Sequence, residues 1–241
     1  MNGLAPPEQN PKEIMKKTYP HVAFQLNQEV DTYVGADFLE ARQNGIDFNK
    51  HPLLIPALKV QGEERKNIVN NYVQEYYDHN RVELETAKKT FQDEWGEVEP
   101  AFFNITNTVF NEYEWPSGEY RGFPSIFNCN PRWLETKSFQ VYVNNVVGVS
   151  YSVAHEMLHF IFYNYLEKKY PDYVKQIGED KLWSLSEVFN EIAFEQPEYS
   201  KFKPNVPSSY PKLQPMTTAL KEKLKGKQFN IESFIEASKS I

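Results

Sequence analysis

Two histidines four residues apart, set in a long apolar run with no proline, constrain this chain more than any other feature. The segment is Val153-Ala154-His155-Glu156-Met157-Leu158-His159. Residues i and i+4 of a helix stand one above the other, so both imidazoles can reach a single metal ion. Neutral ring nitrogens hold zinc at about 2.0–2.1 Å. Glu156 follows His155 and sits about 100° further round the helix, beside the water such a metal would activate. That makes it a general base and not a ligand. Across residues 146–169 the only glycine is Gly148, and Val149, Val153, Ala154, Met157, Leu158, Phe160, Ile161, Phe162, Tyr165 and Leu166 are apolar almost all round, which predicts a buried helix. Unpaired buried polar groups cost a few kcal/mol each, and a metal with its water would satisfy all three side chains at once.

An open hydrolytic zinc site has three protein ligands, so one more is required. The remaining histidines, His21, His51 and His79, all precede the motif, as does the single cysteine, Cys129. Phe162 and Tyr165 stand where the longer H-E-x-x-H-x-x-G-x-x-H signature needs glycine and histidine, so that signature is excluded. A carboxylate on a following helix is the natural choice. Residues 179–196 read as that helix, with Leu185, Val188, Phe189, Ile192 and Ala193 as its apolar stripe and Pro197 as its stop. Glu187, Glu191 and Glu195 recur at i+4. Either Glu187 is the ligand, with Glu191 behind it accepting a histidine N–H and Asn190 alongside, or Glu191 is the ligand.

The motif His155-Glu156-x-x-His159 followed by Trp183-x-x-x-Glu187-x-x-x-Glu191 resembles the gluzincins, zinc metallopeptidases whose third ligand is a glutamate on a later helix. The resemblance covers about residues 152–196. The interval from His159 to Glu187 is longer than in thermolysin-like members, and Ser186 rather than asparagine precedes Glu187. What the resemblance implies is an α+β, zincin-like fold: a small mixed or antiparallel sheet packed on the active-site helix, with a mostly helical C-terminal part. It also implies one Zn2+ per chain, hydrolysis of peptide bonds in a peptide or protein substrate, and a sheet edge that pairs with the extended substrate. A protein that keeps the metal helix but only holds a peptide is the alternative function.

Residues 137–144 alternate as a half-buried strand. If it is the sheet edge, Gln140, Tyr142 and Asn144 line the substrate by main-chain pairing. Residues 120–128 are its expected neighbour, the chain turning through 128–131. Residues 63–95 carry helical periodicity, and 100–110 read as a second, short helix beginning at Pro100. Residues 1–60, with a proline-rich start, read as an N-terminal extension, loose or packed across a catalytic domain at 61–241. Within that domain, residues 118–169 would hold the sheet and active helix. A last helix is expected at 230–240, capped by Asn230. His21, His51 and His79 read as loop or surface residues. Tyr163, Tyr199 and Tyr210 are conceivable oxyanion donors, among which the sequence does not choose.

The net charge of −7 argues against nucleic acid and anionic membranes as partners. There is no apolar run of about 18 residues and no secretory leader pattern, and one cysteine allows no internal disulfide, so the expected setting is cytoplasmic.

Overall fold

A computed structural model of the chain describes residues 19–41, 46–47, 49–205 and 210–241. Most of the arm expected at residues 1–20 lies outside these. The architecture is mixed α/β and mostly helical, with one small four-stranded mixed sheet. The strands are β1 (Val22–Phe24), β2 (Tyr120–Ser125), β3 (Arg132–Trp133) and β4 (Ser138–Tyr142), in the order β1-β2-β4-β3. β1, β2 and β4 are parallel, and β3 runs antiparallel to β4.

The sheet corrects two expectations. β4 is internal. Its amides at Gln140 and Tyr142 donate to Pro131 O at 2.9 Å and to Asn130 Oδ1 at 2.8 Å, so an incoming peptide cannot use them. Gln140 is itself buried, its amide nitrogen 2.8 Å from Asp31. The edge is the two-residue β3, and so the substrate role expected of Gln140, Tyr142 and Asn144 does not follow. Residues 22–41, expected as an extension loose or packed across the domain, are packed and enter the sheet itself. β1 pairs with β2, and α1 (Gln28–Ala41) packs on α2 (Gly62–His79). A three-residue strand is too short to display a period of two, which is why its sequence reads as loop. β1 forms the sheet edge opposite β3.

Behind the sheet runs α3 (Arg81–Val109), continuous through Pro100. A proline inside a helix costs about 3 kcal/mol. Trp95 before it and Phe102 and Phe103 after it are fully buried, and their burial holds the helix together across that point. The chain breaks earlier instead, at Asn80, where φ is −114° and both the backbone and side-chain nitrogens bond Tyr76 O.

α4 (Val149–Lys169) is buried on nearly every side. Its start is fixed by Gly148, whose φ of 103° favours glycine. Asn145 Oδ1 accepts from the amides of Val147 and Gly148, and Asn145 Nδ2 reaches Ser152 Oγ at 2.7 Å. Phe160 packs edge-on to Tyr120 at 5.5 Å and lies 6.3 Å from Phe139, pressing the helix onto the sheet. α5 (Pro171–Glu195) bends sharply at Gly178, φ 74°, so the helix crossing α4 is the part after it. Phe189 locks it against Phe162 at 5.1 Å. α6 (Gln214–Leu224) and α7 (Ile231–Ser238) close the far side; α7 opens on Asn230 with a reciprocal capping box. No described helix is long and apolar enough to cross a membrane.

Candidate metal centre

Where α4 crosses the second half of α5, three side chains able to hold a metal converge. The Nε2 atoms of His155 and His159 stand 3.0 Å apart. Glu187 Oε2 lies 3.2 Å from His155 Nε2, and Glu187 Oε1 lies 3.5 Å from His159 Nε2. Four tetrahedral ligands at about 2.0–2.1 Å from a zinc ion stand about 3.3 Å from one another. The three groups thus form a donor triangle with separations of 3.0–3.5 Å, close to that spacing, the two histidines facing different oxygens of Glu187, and the donor set, two imidazoles and a carboxylate, suits that ion. Among the described residues this is the group of metal-ligating side chains that forms, and it holds three donors. His159 and Glu187 are buried, as is Glu156 beside them.

Electrostatics keeps the set ready for a cation. Burial pulls the His159 ring well below the ordinary imidazole range, and the Arg132 and His155 charges push the same way, so the ring is neutral. Burial also pulls His155 down, but the Glu187 carboxylate at its edge outweighs this and its net direction is upward. For Glu187, burial pushes up while His155 and then Arg132 hold the carboxyl below the usual range, keeping it ionised. Burial pushes Glu156 up, opposed by Arg132 and His155.

Arg132 is the residue that sequence reasoning missed. It comes from β3, with Nη1 3.6 Å from Glu156 Oε2 and Nη2 3.5 Å from Glu187 Oε1. Its guanidinium carbon lies 5.9 Å from the ring centre of Tyr163. Neither a helical period nor metal-ligand spacing links it to the motif; only the pairing of β3 with β4 carries it into the site. The turn signal at Asn128 to Pro131, directly before it, was the one clue available in the sequence.

Other expected members fall elsewhere. Glu191 faces α6, where it accepts from Gln214 Nε2 at 3.2 Å and Thr217 Oγ1 at 3.3 Å and lies 3.8 Å from Lys221 Nζ. It touches neither histidine, so it serves neither as ligand nor as the acceptor behind one. The Nδ1 atoms of both histidines are buried without a hydrogen-bond partner. Four residues carry Glu191 about 6 Å further along α5 and about 40° round it, past the histidines and against α6. Asn190 does reach the site, donating to His155 O at 3.0 Å and lying 3.2 Å from His159 Nε2.

Of the three tyrosines, Tyr199 is fully buried against Thr106 at 3.0 Å, and Tyr163 OH accepts from Ser186 at 3.3 Å. Tyr210 is partly exposed. Its hydroxyl is pushed up to about 12 by burial and then by the Glu187 and Glu156 charges, so it stays protonated. Trp183 stacks edge-on to it at 5.2 Å. Comparison of the chain with protein-family models, with curated proteins and with solved structures gave no match.

Proposed function

We propose that this chain is a zinc-dependent peptidase of zincin-like fold, holding one Zn2+ through His155, His159 and Glu187. The observation that carries the reading is the largely buried convergence of two imidazoles and a carboxylate, 3.0–3.5 Å from one another, with an additional glutamate beside it. Three donors rather than four favour a reactive site over a purely structural one. Bound zinc would supply Lewis acidity, lowering the pKa of a water towards 7 and polarising the scissile carbonyl.

The chain's own residues do the rest. Glu156 takes the proton of the attacking water and returns it to the leaving amine. Burial favours its protonated form and Arg132 its ionised form, a balance that suits a group required in both states. Asn190, bonded to the His155 carbonyl, ties α5 to α4 so that the glutamate and the histidines keep their spacing. Tyr210, a phenol kept protonated by burial and by both site carboxylates, and Tyr163, whose ring lies 6.2 Å from that of His159, are the two hydroxyls from which an oxyanion donor would come. The outer edge of β3 is the strand on which an extended peptide would pair.

The test combines elemental analysis with cleavage of a quenched fluorescent peptide pool. Wild type should carry one zinc per chain and cleave the pool. Glu156→Gln should keep the zinc and lose activity by about 10³-fold or more, within the range of general acid–base and electrostatic terms combined. A zinc-loaded wild type inert towards all peptides, with Glu156→Gln indistinguishable from it, would refute the peptidase reading while leaving a zinc protein.

A further inference from the structure

Resting on that reading, we propose that Arg132 is a substrate-recognition residue and that the preferred substrate carries a carboxylate next to the scissile bond. The argument begins with charge. The described residues place one guanidinium, Arg132, and two carboxylates, Glu156 and Glu187, around the donor triangle. Both histidines must be neutral to act as ligands. With a divalent ion held, two positive charges from the metal and one from Arg132 face one negative charge from each glutamate. One positive charge remains in excess. Moving a proton from water to Glu156 redistributes charge within the site without changing that total, so hydrolysis of a neutral amide never cancels it.

An uncompensated charge in a largely buried site is costly. Further along α5, Glu191 and Glu195 share Lys221 and do not contact Arg132. An anionic group on the substrate removes the excess. Arg132 is suited to receive it. The guanidinium presents five N–H donors in a planar fork that matches a carboxylate. Its two recorded carboxylate neighbours lie at 3.5 and 3.6 Å, beyond close hydrogen-bonding range, and the metal competes with it for Glu187. The side chain keeps 17% of its surface exposed, close to the 18% of His155, whereas Glu187 keeps only 3%, so the arginine and that histidine share the side of this group open to an incoming ligand. The Tyr163 ring lies 5.9 Å from the guanidinium carbon, at the outer reach of a cation–π contact.

The carboxylate can belong to the chain terminus of the substrate or to an aspartate or glutamate side chain, and the experiment separates these. Zinc-loaded wild-type protein, which keeps the charge of Glu156, is titrated by fluorescence anisotropy with three labelled pools of tetrapeptide analogues whose backbone amides are replaced by the neutral, uncleavable ketomethylene group. The first has neutral side chains and an amide cap, the second is the same with a free C-terminal carboxylate, and the third is amide-capped with one fixed glutamate. The proposal predicts that the second or third pool binds about tenfold or more tighter than the first, as one charge-assisted hydrogen-bonded pair gives. Adding Arg132→Gln should bring that pool within about twofold of the neutral one with zinc content unchanged. Arg132→Lys, which keeps the charge but not the fork, should retain part of the preference, and circular dichroism checks that each variant is folded. Equal binding of the three pools, or a preference that survives Arg132→Gln, would overturn the proposal and leave the zinc reading intact. Absence of zinc from the reloaded parent protein would overturn both.

Discussion

Two places in this molecule bury carboxylates in polar company, and they are built on opposite lines. Asp31, on α1, is completely buried. It accepts from Ser125 Oγ, from Tyr77 OH at 2.7 Å and from Gln140 Nε2 at 2.8 Å, with the Ile126 backbone adding a further bond. These donors come from α2, β4 and the strand β2 with its following residue, so one carboxylate ties the N-terminal helices to the sheet. At the crossing of α4 and α5, by contrast, the Nδ1 atoms of His155 and His159 are buried with no hydrogen-bond partner among the described residues, and Glu156 Oε2 and Glu187 Oε2 have only the longer ion pairs with Arg132 and His155, at 3.6 and 3.2 Å. A satisfied buried carboxylate reads as architecture. Carboxylates held by few and longer contacts, beside imidazole nitrogens about 3 Å apart, read as a functional site.

The contrast can be broken by substitution. The largest effect is expected from Glu156→Gln, a loss of about 10³-fold or more in peptide cleavage with little change in melting temperature. The reverse profile is expected for Asp31→Ala. Removing the shared acceptor strands three side-chain donors, and should lower stability by about 3–5 kcal/mol in urea unfolding while zinc stoichiometry stays at that of wild type. Loss of zinc from folded Asp31→Ala would show that the two regions are not independent.

A pH series sharpens the same comparison. Burial, despite the opposing hydrogen bonds from Ser125, Tyr77, Ile126 and Gln140, raises Asp31 from 3.8 to about 6. The folded state therefore holds this proton more tightly than the unfolded chain. Its favourable contribution is fully present below pH 3.8 and is lost as pH rises through about 6. Two pKa units correspond to about 3 kcal/mol. The stability of wild type relative to Asp31→Asn should thus fall by up to that amount between pH 4 and pH 7, as measured by urea unfolding at each pH. A flat difference would contradict the assignment. The smallest effect is expected for Glu191→Ala. Its partners Gln214, Thr217 and Lys221 are on α6, so stability should change by about 1 kcal/mol or less and zinc content not at all.

How much of this was legible in the sequence follows from the range of each interaction. The i,i+4 spacing of His155 and His159 and the apolar stripe of residues 179–196 are local periodicities, and they place the rings and Glu187 on facing helices without knowledge of the rest. Choosing between Glu187 and Glu191 needed the rotation of α5, which is set by Phe189 packing on Phe162 and was not readable from spacing alone. Arg132 was invisible because its place depends on a two-residue strand whose partner lies beyond a turn. The internal position of β4 and the inclusion of β1 in the sheet were hidden for the same reason. Pro100 misled because the local cost of a proline is outweighed by the burial of Trp95, Phe102 and Phe103, a tertiary effect.

Zinc stoichiometry by elemental analysis, after reloading and mild dialysis, on wild type beside Glu187→Ala and Glu191→Ala, tests the central claim most directly. The account predicts one zinc per chain in wild type and in Glu191→Ala, and loss of it in Glu187→Ala. Wild type that retains no zinc, or a Glu187→Ala protein that retains a full equivalent, would contradict it.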